Sequence, residues 1–238
     1  MAYTNSSKNK PSVLISCQDP KSPGTEAFGI IRTHLHLVSE GNPLRSILIC
    51  SPGPREGRSI VAANLGISLA RAGKNVILVD ADMRRPTQHV LFSLPNKNGF
   101  PTLFTENADL DIAQKTRIPG LRVITGGSTQ TNPSDILSSD TTITVIKSIA
   151  SQADTVIYDT PPVTVVPDAI TLGSRLDAAL IVIRLGVTSR DDAKRTKELL
   201  ELSRLRILGM IINDIQEKTY GSSITGSLNS FGIVSTGY

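Results

Sequence analysis

Three aspartates and one loop hold the chemistry that this sequence offers. In "VILVDADMRRP" Asp80 closes an apolar run and Asp82 follows two positions on. In "TVIYDTPPV" Asp159 closes another such run, and in "SPGPREGRSI", residues 51 to 60, Gly57 and Ser59 flank Arg58. A loop that leaves a buried strand and opens a helix aims several backbone N–H groups at one point, where the helix N-terminus favours an anion. Gly57 permits the close approach of a phosphate. Arg58 stands where a cation would bridge terminal phosphates, and Ser59 offers a hydroxyl to Mg²⁺. Gly53, Pro54, Arg55, Glu56 and Ile60 complete the candidate nucleotide cradle. Paired acids beside a phosphate chain hold Mg²⁺ through water and accept a proton from an attacking hydroxyl. Arg58, Asp80 and Asp82 are therefore the catalytic candidates, and Ser59, Asp80 and Asp159 the metal candidates.

Each motif alone also has a plain structural reading. The loop reads equally as a basic turn that caps a helix. Asp80 reads as a cap for the next segment, Asp82 as a partner of Arg84 or Arg85, and Asp159 as a turn former before Pro161 and Pro162. It is the joint order of loop, acid pair and single acid that favours a nucleotide and metal site.

Positioning such residues takes a sheet. Short β-branched runs recur at 46–50, 75–80, 121–125, 154–159, 179–184 and 207–213. Between them lie helical patterns such as "SIVAANLGISLARAG", ending at Gly73, and "SRDDAKRTKELLELS", with its acids leading. The alternation predicts an α/β fold: a doubly wound, mostly parallel sheet of the P-loop NTPase kind with helices on both faces. Ligands of such sheets bind beyond the carboxyl ends of the strands, where the loop, the three acids and Asn213 all fall.

At 238 residues and 39% apolar content the chain suits one large domain. The expected organisation is a mobile segment over 1–24, a P-loop kinase or ATPase domain over 25–218, and a mobile Gly/Ser-rich tail over 219–238. No apolar run approaches the roughly 20 residues that span a bilayer, and "MAYTNSSKNKPS" lacks a secretion signal, so a soluble, cytoplasmic chain is expected. Cys17 and Cys50 have neither metal nor disulfide spacing. The formal charge of +4, without aromatic interleaving, does not point to nucleic acid. His34, His36 and His89 share no metal spacing. Arg55, Arg84 and Arg85 read as solvated, and Asp168 after Pro167 reads as the cap of the next helix.

The order of "SPGPREGRSI", "VDADMR" and "YDTPP" resembles the bacterial tyrosine kinases (BY-kinases) of capsule and exopolysaccharide systems. The likeness extends over "PKSPGTEAFGIIRT", "TNPSDIL", "VPDAITLGSRLDAALIVIR" and "GMIIND", and is closest to the separate cytoplasmic kinase chains. It implies ATP/ADP and Mg²⁺ as cofactors, with Arg58 at the loop lysine, Ser59 at the Mg²⁺ hydroxyl and Asp80 and Asp82 at the pair holding the base. It also implies Asp159 at the second metal-side acid and Asn213 facing adenine. Glu26 and Arg32 match the outer members of an assembly motif whose middle arginine is Gly29 here. The resemblance makes Tyr220 and Tyr238 the implied tail acceptors. A membrane co-polymerase is the implied partner, holding the chain at the inner face of the membrane.

Arginine is not a conservative substitute for lysine at a phosphate, because its donors form a planar fork rather than a point charge. The first function expected is therefore an ATP-dependent tyrosine autokinase governing polysaccharide synthesis, and the second a nucleotide-binding scaffold with weakened transfer. A partition-type ATPase is a third, disfavoured because its extra signature lysine falls on Gly53.

Overall fold

The computed structural model describes residues 14, 22–41, 43–105, 112–128, 131–213 and 231–234. Helix α1 (Pro23–Val38) opens on Ser22, whose hydroxyl accepts the Thr25 N–H at 3.2 Å, with Pro23 in the first turn. It buries Ala27, Phe28, Ile31 and Leu35, a stripe at helical spacing. Strand β1 (Ser46–Cys50) leads through the 51–57 loop into α2 (Arg58–Arg71), which is followed by β2 (Val76–Asp80) and a short α3 (Gln88–Phe92). A 3-10 turn at Phe100–Phe104 precedes β3 (Gln114–Lys115), β4 (Leu121–Ile124), α4 (Pro133–Ser138), α5 (Thr141–Ala150) and β5 (Thr155–Asp159). The chain continues through α6 (Asp168–Gly173), β6 (Ala178–Arg184), α7 (Arg190–Leu202), β7 (Arg206–Asn213) and β8 (Phe231–Val234).

The strands form one sheet in the order β3-β4-β2-β5-β1-β6-β7-β8. All pairings are parallel except those of the edge strands, β3 with β4 and β7 with β8. Alternate residues of each strand feed opposite faces, which produces two cores. Ile47, Ile49 and Leu78 pack with α1 and α2, whereas Leu48, Ile77, Val79 and Tyr158 pack with α4, α5, α6 and α7. Within α2, Gly66 lies so close to the sheet that a Cβ there would meet Leu121 at 3.4 Å, and this brings the helix axis down onto the strands.

The six strands read from the sequence are all present, and the two edge strands are additions. Residues 231–234, inside the tail expected to be mobile, pair with β7 from Asn213↔Phe231 to Met210↔Val234. The domain start expected at 25 falls just inside α1.

Candidate active site

The register of three central strands brings the acids together. β5 lies between β1 and β2, and Asp159 is paired with Asp80 on one side while Ile49 is its neighbour on the other. Neighbouring strands run about 4.8 Å apart, so two carboxylates close adjacent strands at the pole where the β1 loop emerges. Both are fully buried.

The loop is held from behind. The Val163 N–H donates to Ser51 O at 2.9 Å and the Thr164 hydroxyl to Pro52 O at 2.8 Å. Glu56 is buried and accepts from the Gly53 N–H at 2.9 Å and from the Thr188 hydroxyl beyond β6. Gly57 has φ +87°, and a Cβ there would lie 1.9 Å from Asn213 Nδ2. The Asn213 amide donates to Glu56 O at 2.9 Å, so it touches the loop itself. α2 begins without a side-chain cap, and its first helical hydrogen bond runs from the Val61 N–H to Gly57 O at 2.9 Å. The N–H groups of Arg58, Ser59 and Ile60 therefore have no intrahelical acceptor and face the anion position.

Arg58 turns inward. Its Nε donates to Asp159 Oδ1 at 2.6 Å and its Nη2 to Asp82 Oδ2 at 3.0 Å, with all three side chains nearly excluded from water. Burial works against the guanidinium charge, but Asp159, with Asp82 and Asp80 beyond it, outweighs burial and raises the pKa. Asp82 is raised above the usual carboxylate range by burial, against the pull of Arg58 and the Arg85 N–H. Asp80 is raised well above that range, by burial first and then by the charge of Asp159, despite accepting the Gln88 and Thr87 N–H groups. The pairing of Asp82 with Arg84 expected as its plain alternative does not form. Arg85 meets Asp82 only through its backbone N–H, at 3.0 Å.

Arg84 and Asp168 depart from their expected roles. Asp168 is the first residue of α6 rather than its cap, and it is buried. It accepts from Arg84 Nε at 3.0 Å and from the Ser134 hydroxyl at 2.6 Å, while Arg84 Nη2 also reaches Asn132 Oδ1 at 3.1 Å. A buried carboxylate needs donors, and Arg84, expected to be solvated, supplies them. This clasp ties the turn after Asp82 to α4 and α6. On the other side of the same turn, a Cβ on Gly126 would meet Pro86 at 2.4 Å.

Gln88 was not singled out by its position in the sequence. Fully buried, it donates from Nε2 to Ser59 O at 3.0 Å and to Asp159 Oδ2 at 2.8 Å. The only available signal was an amide directly following the acid-bearing turn.

The donor set fits a hard divalent ion held together with phosphates. Asp80 Oδ1 is a buried carboxylate oxygen with no partner, and oxygen ligands of this kind suit Mg²⁺. Among the described residues no group of three or more His, Cys, Asp or Glu side chains is placed to hold a metal alone, so phosphate oxygens would complete the coordination. Glu26 is exposed in the first turn of α1, and Arg32 donates to Ser68 O of its own chain at 3.2 Å. Tyr220 and Tyr238 lie outside the described residues. Among the described residues no helix is long and apolar enough to cross a membrane.

This arrangement has counterparts in known proteins. A ParA family model, described as an NUBPL iron-transfer P-loop NTPase, matches residues 45–222. The chain is 36% identical to the tyrosine-protein kinase YwqD of Bacillus subtilis, over 84% of this chain and 85% of that one. It is 32% identical to the putative tyrosine-protein kinase CapB of Staphylococcus aureus, over 87% and 91%. Among solved structures, the chimerical protein CapA2B2 superposes with a TM-score of 0.82 at 34% identity, covering 88% of this chain and 92% of that one. The kinase domain of Escherichia coli ETK gives 0.83 at 26%, covering 92% and 88%. The Mg-ADP complex of the septum site-determining protein MinD from Pyrococcus horikoshii gives 0.61 at 23% over 73% and 74%, a likeness of fold alone.

Proposed function

This chain belongs to the bacterial tyrosine-protein kinases, built on the ParA-type P-loop NTPase fold, and we propose that it transfers the terminal phosphoryl group of ATP to tail tyrosines in a capsule or exopolysaccharide pathway. The observation that carries this reading is the convergence of Asp80, Asp82 and Asp159 on the loop and uncapped N-terminus of α2.

Each residue has a task. The N–H groups at the start of α2 bind the phosphate chain, and Gly57 lets it approach. Arg58 meets the terminal phosphate oxygens once it leaves its carboxylates. Ser59, Asp80 and Asp159 would hold the metal, directly or through water. Asp82, raised by burial, accepts the proton of the attacking phenol. Bound Mg²⁺ with ATP supplies charge neutralisation along the phosphates. Asn213 supports the loop and offers an amide toward the base. Tyr220 and Tyr238 are the proposed acceptors, and Glu26 and Arg32 the proposed self-association residues. A membrane co-polymerase is the proposed activator, holding the chain at the inner face of the membrane.

A second reading is favoured by the inward position of Arg58: a nucleotide-binding scaffold with weak transfer. A rigid fork committed to two carboxylates is a poor substitute for a lysine aimed at phosphates. Phosphotyrosine formation with Mg-ATP, alongside nucleotide affinity by calorimetry, separates the two. A kinase places phosphate on Tyr220 or Tyr238, and Arg58→Lys raises the rate by about a hundredfold to a thousandfold, the weight of one well-aimed transition-state donor. Tight binding with transfer gained only in Arg58→Lys identifies the scaffold. Absence of nucleotide binding in both forms refutes both readings.

A further inference from the structure

The site acids are almost completely satisfied by their own chain. Asp159 Oδ1 accepts from Arg58 Nε at 2.6 Å, and Oδ2 from Gln88 Nε2 at 2.8 Å. Asp82 Oδ2 accepts from Arg58 Nη2 at 3.0 Å, and Oδ1 from the Arg85 N–H at 3.0 Å. Asp80 Oδ2 accepts the N–H groups of Thr87 and Gln88, both at 2.8 Å. Of these oxygens only Asp80 Oδ1 has no partner.

Arg58 spans a carboxylate that closes β5 and one that lies in the turn after β2. Its donors diverge in a planar fork, so one side chain neutralises Asp82 and Asp159 together, which a single ammonium cannot do as well. A hard cation seeks those same oxygens, and two cations in one buried cluster repel strongly. We infer that Arg58 is the resident cation of this site, bound to Asp82 and Asp159, so that a divalent ion enters only together with a nucleotide whose phosphates draw the guanidinium away. This rests on the nucleotide reading above and concerns its order of assembly.

Gln88 makes the exchange workable. Its amide orientation follows from its partners, because the Ser59 carbonyl and Asp159 are both acceptors and must face nitrogen. Asp159 therefore stays anchored through Oδ2 when Arg58 leaves, and the oxygen released is already in place. Metal and nucleotide affinities are then coupled, and by linkage the coupling is equal in both directions.

Mn²⁺ serves as the probe, its free fraction read by electron paramagnetic resonance on the full chain, with and without a non-hydrolysable ATP analogue. The wild type binds Mn²⁺ tightly only when the analogue is present. Without the analogue, Arg58→Met binds Mn²⁺ about tenfold or more tighter than the wild type, because its unpaired buried carboxylates seek a cation, and Arg58→Lys falls between. Equal Mn²⁺ affinity of the wild type with and without analogue overturns the inference, as does a folded Arg58→Met that gains nothing.

Should Arg58→Met fail to fold, the wild type supplies the answer by itself. Its Arg58 Nε–H, assigned by its loss in Arg58→Lys, gives a downfield nuclear magnetic resonance signal that disappears with Mg²⁺ and analogue. Persistence of that signal in the loaded protein also overturns the inference. Failure of the nucleotide reading shows separately, as absence of analogue binding by calorimetry in wild type and Arg58→Lys.

Discussion

The surroundings of Asp80 work against its charge. Asp80 has no exposed surface, Asp159 beside it on β5, and an Oδ1 with no hydrogen-bond partner. Its raised pKa means that its folded form holds a proton more tightly than its unfolded form. Stability from Asp80 is therefore fully present below the unfolded pKa, near 4, and is lost as pH rises through the higher folded value. Asp80→Asn keeps an oxygen for the Thr87 and Gln88 N–H groups and removes the charge. Its unfolding free energy in urea should exceed that of the wild type at neutral pH, by about 1–3 kcal/mol for relief of one buried unpartnered charge, with the gap closing toward pH 4. A constant gap from pH 4 to 8 contradicts the assignment. The same substitution should weaken Mn²⁺ binding in the presence of nucleotide, separating stability from ligand chemistry at one atom.

Elements explain what single residues cannot. α1 carries Gly29 near its middle, where an added Cβ would meet nothing within 4 Å. Gly29→Ala should stabilise the chain by about 0.5–1 kcal/mol, checked by thermal unfolding, since alanine loses less backbone entropy in a helix. The clasp of Arg84 on Asp168 joins the β2 turn to α6. Arg84→Ala leaves a buried carboxylate with fewer donors and should cost about 1–3 kcal/mol in urea unfolding. Arg84→Lys should recover only part of this, because one ammonium cannot reach Asp168 and Asn132 as the fork does. The six inner strands and the three acids were legible in the sequence, because β-branched runs and strand-ending aspartates are local signals. β3 is two residues long and β8 sits in Gly/Ser-rich sequence, so their pairing is supplied by the neighbouring strand. Asp168 read as a cap because its partner Arg84 lies 84 positions away. Likewise the 101 positions between Arg58 and Asp159 hid the inward turn of a side chain whose type alone suggested a phosphate ligand.

At the scale of the molecule, the parallel sheet ends in an antiparallel strand on both sides, which pairs β4 and β7 and leaves the short strands β3 and β8 at the margins. β8 has a further consequence. It enters at Phe231 beside Asn213, on the pole of the three acids, and runs toward the opposite pole, ending with Val234 beside Met210. Four residues then lead from Val234 to Tyr238, a tether of at most about 14 Å. β8 and the Asp80 strand stand at positions eight and three of the sheet order, a lateral separation of about 24 Å. While β8 stays paired, this backbone reach falls about 10 Å short of the Asp80 strand, so a transfer within one chain would need the last four residues fully extended across the sheet. Transfer to Tyr238 should therefore run mainly from a second copy. An Asp82→Asn chain mixed with a Tyr238→Phe chain should acquire label on Tyr238 at a rate that climbs with concentration. Labelling of the intact chain that is independent of dilution would mean instead that the last strand lets go. A strand that blunts the sheet edge thereby also acts as a ruler, favouring transfer between molecules over transfer within one.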